Sequence, residues 1–279
     1  MDAPLPGVRG STQEGTDDLT SHPELAAEQA YVDRAYEHLD ASRERAKSLR
    51  GMVEVGRGGT EQARYEREMI EGSVANRLAQ LELGDHSLVF GRIDTDDAHE
   101  NETFYIGRMS VADDDQEPVV VDWRAPVAES FYRATGPQAM GLARRRHFTS
   151  RGRTLLNLED ELFGDAIRRE GGGVGTSADD RIQGHGALLN ALEDNRSGKL
   201  GDIVATIQGE QDEIIRSGLS GLLVVQGGPG TGKTVVALHR AAYLLYTHRF
   251  PLEGQGAQVI GPNKLFLGYI DQVLPSLGE

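Results

Sequence analysis

The sequence of 279 residues contains no cysteine, which excludes a disulfide framework, a thiolate metal site and a cysteine nucleophile. It also contains no run of 18 apolar residues, and its first 20 residues lack the apolar core of a signal peptide. We therefore expect a cytoplasmic protein without membrane contact. The eight histidines show no HExxH or other ligand spacing, so we predict no protein-bound zinc.

Lysine is scarce, with four among 29 basic residues, and the acidic residues are unevenly distributed. Residues 1–130 carry 28 acidic and 13 basic side chains, whereas residues 131–279 carry 16 of each. The net charge of −15 therefore belongs to the first half. Acidic surfaces bind nucleic-acid phosphates poorly and suit a basic protein surface better. A solvated surface that binds no partner is the alternative.

The N-terminal pattern predicts a disordered leader over residues 1–20 and then a coiled-coil helical hairpin over 21–86. The spacing of Ser21 and Glu24 predicts a capping box at the start of the first helix. Apolar positions on the first helix, which is predicted to reach Arg50, are Leu25, Val32, Ala35, Leu39, Ala46 and Leu49. The segment GMVEVGRGG predicts a turn, and the second helix carries Ile70, Val74, Leu78 and Leu81 on one face. An ordinary helical pair packed on the body is the alternative.

Short β-rich runs predict a small antiparallel sheet over residues 87–150. The run TLLNLEDELFGDAIRR then favours a helix, so we interpret residues 151–200 as a helical connector with a Gly-rich loop. In VDWRAP, a buried Trp123 beside an Asp122–Arg124 ion pair is favoured over a reactive cluster. Asp113–Asp115 indicates a solvated turn rather than a cation site. The run RRRH at 144–147 leaves phosphate contact and simple solvation open.

The strongest chemical signal is GGPGTGKT at 227–234. The apolar run Leu222–Gln226 predicts a buried parallel strand before it, and an apolar-periodic helix follows as far as Leu245. Such a loop turns its backbone N–H groups around a β-phosphate. We expect Lys233 to contact the β/γ-phosphate oxygens, Thr234 to ligate Mg²⁺, and the helix N-terminus to favour the anion. The predicted phosphate-binding residues are Gly227, Gly228, Pro229, Gly230, Thr231, Gly232, Lys233 and Thr234.

Gln211 lies 22 residues before Lys233 in the helix-like stretch EQDEIIRS. Its amide can both donate to and accept from the adenine edge, which would select ATP over GTP. A solvent-facing glutamine is the alternative.

These blocks together resemble HelD-type proteins, which are UvrD-like superfamily 1 helicase relatives. The resemblance is carried by DIVATIQGEQDEIIRS, GLLVVQGGPGTGKTVVALHRAAYLLYTHR, VIGPNKLFLGYIDQVLPSLGE and FYIGRMSV…EPVVVDWRAPVAESFYRAT, together with the N-terminal hairpin. It implies an ATP-driven motor that binds bacterial RNA polymerase and releases nucleic acid from it. It also implies Gln211 as the adenine-binding residue and an α/β fold in which residues 201–279 begin a RecA-like lobe. Gly261-Pro262-Asn263 corresponds to a motif that faces nucleic acid in true helicases.

Hydrolysis by this class also needs a second acidic motif and arginines from a second lobe. After Thr234 the sequence holds three acids, Glu253, Asp271 and Glu279, none at the end of an apolar strand. We therefore expect the 279 residues alone to be catalytically incomplete and to belong to a longer protein that hydrolyses ATP. Two alternatives stay open: a polymerase-binding fragment that binds ATP without hydrolysing it, and a superfamily 1 DNA helicase that contacts DNA through its complete motor.

Overall fold

The computed structural model describes residues 22–55, 61–83, 86–96, 102–164, 207–252 and 255–273. The helices are α1 Leu25–Val55, α2 Glu61–Gln80, α3 Glu129–Arg133, α4 Gly209–Arg216, α5 Lys233–Thr247, α6 Arg249–Leu252 and α7 Lys264–Val273. The strands are β1 Val89–Thr95, β2 Thr103–Gly107, β3 Val111–Ala112, β4 Pro118–Asp122, β5 Leu142–Arg151 and β6 Thr154–Leu162. In these ranges no helix is both long enough and apolar enough to span a bilayer.

The six strands form one mixed sheet in the order β3-β4-β2-β1-β5-β6. Strands β2 and β4 pair in parallel, and every other neighbouring pair is antiparallel. The predicted antiparallel sheet over 87–150 is therefore wrong in two respects. The observed sheet contains the parallel pair β2 and β4, and the connection between these two strands includes the short β3. The observed sheet also extends beyond residue 150, through β6, to Leu162.

Strand β6 occupies a segment for which the apolar spacing predicted a helix. A register shift next to Thr149 and Ser150 leaves β6 with one extra residue opposite β5. Leu156 and Asn157 are consequently both exposed, while Leu155 and Leu158 are both buried. Because the bulge converts the strand period of two into a spacing of three, it imitates one turn of helix. The predicted helical connector is thus wrong over residues 151–164, which hold the end of β5, a turn, β6 and the two residues after it, and residues 165–200 lie outside the described residues.

The first half of α1 packs on one face of the sheet. Val32, Ala35 and Leu39 share a core with sheet residues that include Leu88. Tyr31 stacks on Tyr105 of β2, with 3.5 Å between the ring centroids. At the base of the hairpin, next to the sheet, the observed packing therefore matches the alternative prediction of an ordinary helical pair packed on the body.

The distal part of the hairpin differs from the prediction. Helix α1 continues through Val55, so GMVEV belongs to the helix rather than to the turn. Val74 is buried, whereas Ile70 and Leu49 are exposed. The apolar side chains of the hairpin are therefore buried near the sheet and exposed farther along the helices.

The other face of the sheet carries the helices around the candidate site. Val89 and Phe90 belong to different cores, because successive strand residues face opposite sides. The second core joins sheet residues to three helices through Ile215 of α4, Val236 and Leu238 of α5, and Ile270 of α7. The sheet therefore positions the helices that flank GGPGTGKT.

The predicted strand at Leu222–Gln226 is wrong for this structure. The run lies outside any strand, and Leu222 is 92 % exposed. A second apolar run, at 257–260, also pairs with no strand of the described ranges, and Ile260 is 85 % exposed. Burial of a parallel strand requires neighbours on both sides, which the described residues do not supply at either run.

Candidate nucleotide-binding site

The GGPGTGKT loop, residues 227–234, depends on glycine at several positions. Gly230 and Gly232 have φ angles of 79° and 81°, in the left-handed region that L side chains rarely adopt. A Cβ on Gly227 would lie 2.6 Å from Thr231 Oγ1. The loop therefore curls too tightly for side chains at these three positions.

Helix α5 begins at Lys233, directly after Gly232. The Lys233 ammonium folds back over the loop, where Nζ donates to the carbonyl oxygen of Gly227 at 2.9 Å and to that of Gly228. Thr231 Oγ1 also donates to the Gly228 carbonyl, at 3.0 Å. A helix N-terminus, a tight loop and a cation thus converge, which is the arrangement that favours phosphate oxygens. Thr234, the predicted Mg²⁺ ligand, lies in the first turn of α5.

The structure brings Gln211 against this loop. Its Nε2 lies 3.5 Å from the carbonyl oxygen of Thr231, and its Oε1 accepts from the backbone N–H of Gln208 at 3.2 Å. A Cβ on Gly232 would lie 2.8 Å from the same Nε2. The predicted adenine-binding residue and the predicted phosphate-binding residues therefore share one site, although 22 positions separate Gln211 from Lys233.

Two arginines that the sequence reasoning missed hold the helices of this site. Arg216 at the end of α4 donates to Asp212 Oδ1 at 2.9 Å and to the Trp123 carbonyl at 2.7 Å. Arg240 of α5 donates to the Ser217 carbonyl at 2.6 Å. Their signal in the sequence is weak: Asp212 and Arg216 stand four apart on a helix, which is an ordinary spacing for an ion pair.

Burial shifts the pKa of two side chains near these arginines. It raises the pKa of the buried Asp212 carboxyl, although Arg216 opposes that change. It lowers the pKa of His239 on α5 to about 4, so that imidazole is neutral at pH 7. His239 lies edge-on to Trp123, with 5.5 Å between the ring centroids.

The favoured interpretation of VDWRAP is confirmed. Trp123 is buried, and the buried Asp122 and Arg124 form an ion pair at 2.8 Å at the end of β4. Asp113–Asp115 lies in the turn between β3 and β4, where Asp113 Oδ1 accepts the N–H groups of Asp115 and Glu117. Across the described ranges, no group of three or more histidine or acidic side chains is arranged to hold a metal ion.

The run RRRH is neither a solvated cluster nor a free cationic surface. Arg144 pairs with Asp94, Arg145 with Glu161, and Arg146 with Asp160. Both phosphate contact and simple solvation are therefore wrong for these arginines. Their side chains join strands of the sheet and the start of α1.

Gly261-Pro262-Asn263 precedes α7. Asn263 Oδ1 accepts the backbone N–H of Phe266 at 2.9 Å, which satisfies a donor in the first turn of that helix. A Cβ on Gly261 would lie 2.5 Å from the Phe266 ring. These residues therefore have a structural role at the helix start, and contact with nucleic acid stays a prediction.

Comparison with known proteins places the first part of the chain in a family. Residues 25–176, more than half of the chain, match the family described as DNA helicase IV HelD, N-terminal domain. No curated protein matches the chain. The match covers the helical hairpin and the whole six-stranded sheet, and the candidate nucleotide site lies outside it. The chain therefore belongs to the HelD family and contains its N-terminal domain.

Proposed function

We propose that the chain is the N-terminal part of an ATP-dependent, helicase-like motor that binds bacterial RNA polymerase and releases nucleic acid from it. The observation that carries the motor assignment is the contact of Gln211 with the GGPGTGKT loop, on helices that pack against the HelD N-terminal sheet. An amide and a phosphate-binding loop side by side fit the two ends of an adenine nucleotide. The remaining catalytic groups belong to a longer protein.

In this proposal each residue of the site has one task. Lys233 turns from its loop carbonyls to the β- and γ-phosphate oxygens, while Thr234 holds Mg²⁺. Gln211 binds the adenine edge. A Mg²⁺ ion held at Thr234 would supply positive charge against the phosphate oxygens. Residues 201–279 form the beginning of a RecA-like lobe, whose sheet would cover the exposed runs at Leu222–Gln226 and 257–260.

Nucleotide binding can be tested on the 279-residue chain with Lys233→Ala. Titration calorimetry with MgATP should give binding to the unaltered chain and no detectable binding to the variant. Lys264→Ala is the matched control, since Lys264 is also the first residue of a helix, α7, but lies outside the loop. Equal ATP affinity in the unaltered chain and Lys233→Ala would refute the nucleotide site.

A polymerase-binding fragment that binds ATP without hydrolysing it remains the second candidate. The exposed apolar runs favour it for the isolated chain, because segments that pair with no strand of the described ranges give catalytic groups no rigid support. Phosphate release from MgATP separates the two: hydrolysis by the 279 residues alone would overturn their catalytic incompleteness.

The polymerase partner is supported by an acidic stripe on α1. Asp33, Glu37, Asp40 and Glu44 follow one another at helical spacing on one face, and Asp33, Glu37 and Glu44 are exposed. Asp40 pairs with Arg153 and Glu44 with Lys47, so Asp33 and Glu37 supply most of the negative charge that the stripe presents. Such a stripe complements a basic protein channel and would accelerate association at low salt.

The stripe can be tested by reversing the charges of Asp33 and Glu37 together, to Lys. Polymerase capture by the full chain should then weaken, and the loss should shrink in high salt. Reversal of Glu102 and Asp115, exposed acids on the connections of the sheet, controls for net charge. Unchanged capture by the α1 variant would remove the stripe from the proposed interface.

A further inference from the structure

We infer that Arg216 is a positioning residue for adenine recognition: it fixes helix α4 to the Trp123–Ala125 turn after β4 and thereby sets where Gln211 meets the phosphate loop. The inference rests on the nucleotide site proposed above and adds a specificity-determining residue to it. The inference also gives a role to the VDWRAP segment of the HelD N-terminal domain, because the Trp123–Ala125 turn belongs to that segment.

Helix α4 needs an external support. It has only eight residues, from Gly209 to Arg216, and helices of that length are unstable in isolation. Gln211 also participates in the capping box at the start of α4, so its side chain moves with the helix. The position of α4 therefore decides the position of the Gln211 amide.

Arg216 supplies that support from the sheet. Its Nη2 donates to the Trp123 carbonyl at 2.7 Å, and its Nη1 lies 3.3 Å from the carbonyl oxygens of Arg124 and Ala125. Its Nε donates to Asp212 Oδ1 at 2.9 Å, next in sequence to Gln211. The guanidinium and this carboxylate are both buried, so water does not compete for these contacts.

Arg240 supports the same helix from the side of α5. Its Nη1 lies 3.2 Å from the carbonyl oxygens of Ile214 and Ile215, in the last turn of α4. Its Nη2 donates to the Gly218 carbonyl at 2.8 Å. The last carbonyls of α4 are thus held by the helix that begins at the phosphate loop.

The turn after β4 touches α5 as well. The Trp123 ring contacts His239, and the Arg124 guanidinium lies 4.6 Å from the centroid of the Tyr246 ring. One turn of the sheet domain therefore contacts both helices of the site, and Arg216 is the side chain that connects it to the adenine side. A lysine could not replace this contact set, because one ammonium lacks the planar fork that reaches three carbonyls and a carboxylate.

The test compares Arg216→Lys, Gln211→Ala and the double variant in the 279-residue chain. Titration calorimetry measures the dissociation constants of MgATP, MgGTP and magnesium tripolyphosphate, the last of which engages only the phosphate loop. Arg43→Lys is the matched control. Arg43 also joins a backbone carbonyl, that of Leu81, to a carboxylate of its own helix, Asp40, but it lies at the base of the hairpin.

Arg216→Lys should weaken ATP binding by about tenfold, the effect of one lost hydrogen bond from the Gln211 amide, and leave tripolyphosphate binding within about twofold. The preference for ATP over GTP should fall as far as in Gln211→Ala. The double variant should be no worse than Gln211→Ala, because both changes act through one amide. Arg43→Lys should keep the preference of the unaltered chain.

Three results would overturn the inference while leaving the nucleotide site intact. These are an unchanged preference for ATP in Arg216→Lys, an equal loss of ATP and tripolyphosphate affinity, and additive losses in the double variant. A chain that binds neither tripolyphosphate nor ATP would instead refute the nucleotide site, and the inference with it. Thermal unfolding followed by the fluorescence of the single tryptophan, Trp123, reports whether each variant is folded.

Discussion

The sheet domain and the two apolar runs beside the phosphate loop contain the same residue types in opposite environments. Leu88 at the start of the sheet is fully buried, whereas Leu222 is 92 % exposed. Helix α5, which lies between the two runs, is not exposed in this way, since its Val236 and Leu238 belong to the core on one face of the sheet. The sheet domain is therefore buried on both faces, by α1 on one and by the helices of the site on the other, whereas within the described ranges the extended runs of the nucleotide segment have no strands that bury them.

The two regions also use arginine differently. In the sheet domain Arg146 is fully buried between Glu24, Glu28 and Asp160, so that α1, β5 and β6 are joined by charge pairs. In the nucleotide segment Arg216 and Arg240 donate mainly to backbone carbonyls at helix ends and turns. Charge pairs fix the sheet domain to its hairpin, whereas backbone contacts fix the helices of the site.

The largest expected loss of stability comes from replacing Arg146 in the sheet domain. Arg146→Ala leaves three carboxylates facing one another around a buried space, and should lower the free energy of unfolding by about 3–5 kcal/mol. Urea unfolding measured at pH 7 tests this value. Hydrogen bonding to Arg146 lowers the pKa of Glu24, so the variant should also return the Glu24 pKa toward its ordinary value. A loss below about 1 kcal/mol would mean that the carboxylates find other partners or water.

A matched pair of leucines tests the comparison directly. Leu88→Ala removes a buried side chain and should cost roughly 2–5 kcal/mol, whereas Leu222→Ala should change the free energy of unfolding by less than about 0.5 kcal/mol. Both values come from urea unfolding of the 279-residue chain. Equal losses would show that the Leu222 run is buried in solution and that the two regions do not differ.

Much of this fold was predictable from local patterns. The position of the first helix, the β-rich character after it and the buried Trp123 beside its ion pair all follow from side-chain periodicity and from the need to pair buried charges. The contact of Gln211 with the loop was predictable because a glycine-rich phosphate loop at a helix start and an upstream helix with a glutamine suit the two ends of one nucleotide.

Other features depend on contacts that one segment does not reveal. Strand β6 looked helical because its bulge sets Leu155 and Leu158 three apart. The run RRRH left phosphate contact and solvation open because the acidic partners of its arginines, such as Glu24 and Asp94, lie far away in sequence. The Leu222 run was predicted to be buried because its apolar composition is typical of a strand inside a sheet. Composition alone does not show whether neighbouring strands are present to bury it.

The pH dependence of stability sharpens the comparison, since each region contains one imidazole that burial keeps neutral. Burial lowers the pKa of His147 on β5 to about 3 and that of His239 on α5 to about 4. Unfolded histidine titrates near 6.5, so the unfolded chain binds more protons as the pH falls below that value. Stability should therefore fall from pH 6.5 toward pH 4.5, by at most about 1.4 kcal/mol per pH unit for each imidazole.

Replacing each histidine singly shows how much it contributes to the pH dependence of stability. His147→Gln and His239→Gln should each flatten the dependence on pH, as measured by urea unfolding at several pH values between 7 and 4.5. A slope unchanged in both variants would mean that neither ring is kept neutral. A slope reduced only by His147→Gln would locate the acid sensitivity in the sheet domain.

The smallest effect is expected at Arg153, which, like Arg146, joins α1 to the β5–β6 hairpin. Arg153 pairs with Asp40 at 2.8 Å and lies over the Tyr36 ring, but about half of its side chain is exposed. Its hydrogen bond lowers the pKa of Asp40, yet solvent and salt screen such a pair. Arg153→Ala should therefore cost less than about 1 kcal/mol in urea unfolding, and less still in 0.5 M salt, roughly the range of exposed ion pairs. A loss of stability close to that of Arg146→Ala would mean that burial does not explain the different contributions of the two arginines. Exposed ion pairs would then fix the β5–β6 hairpin to α1 as strongly as buried ones do.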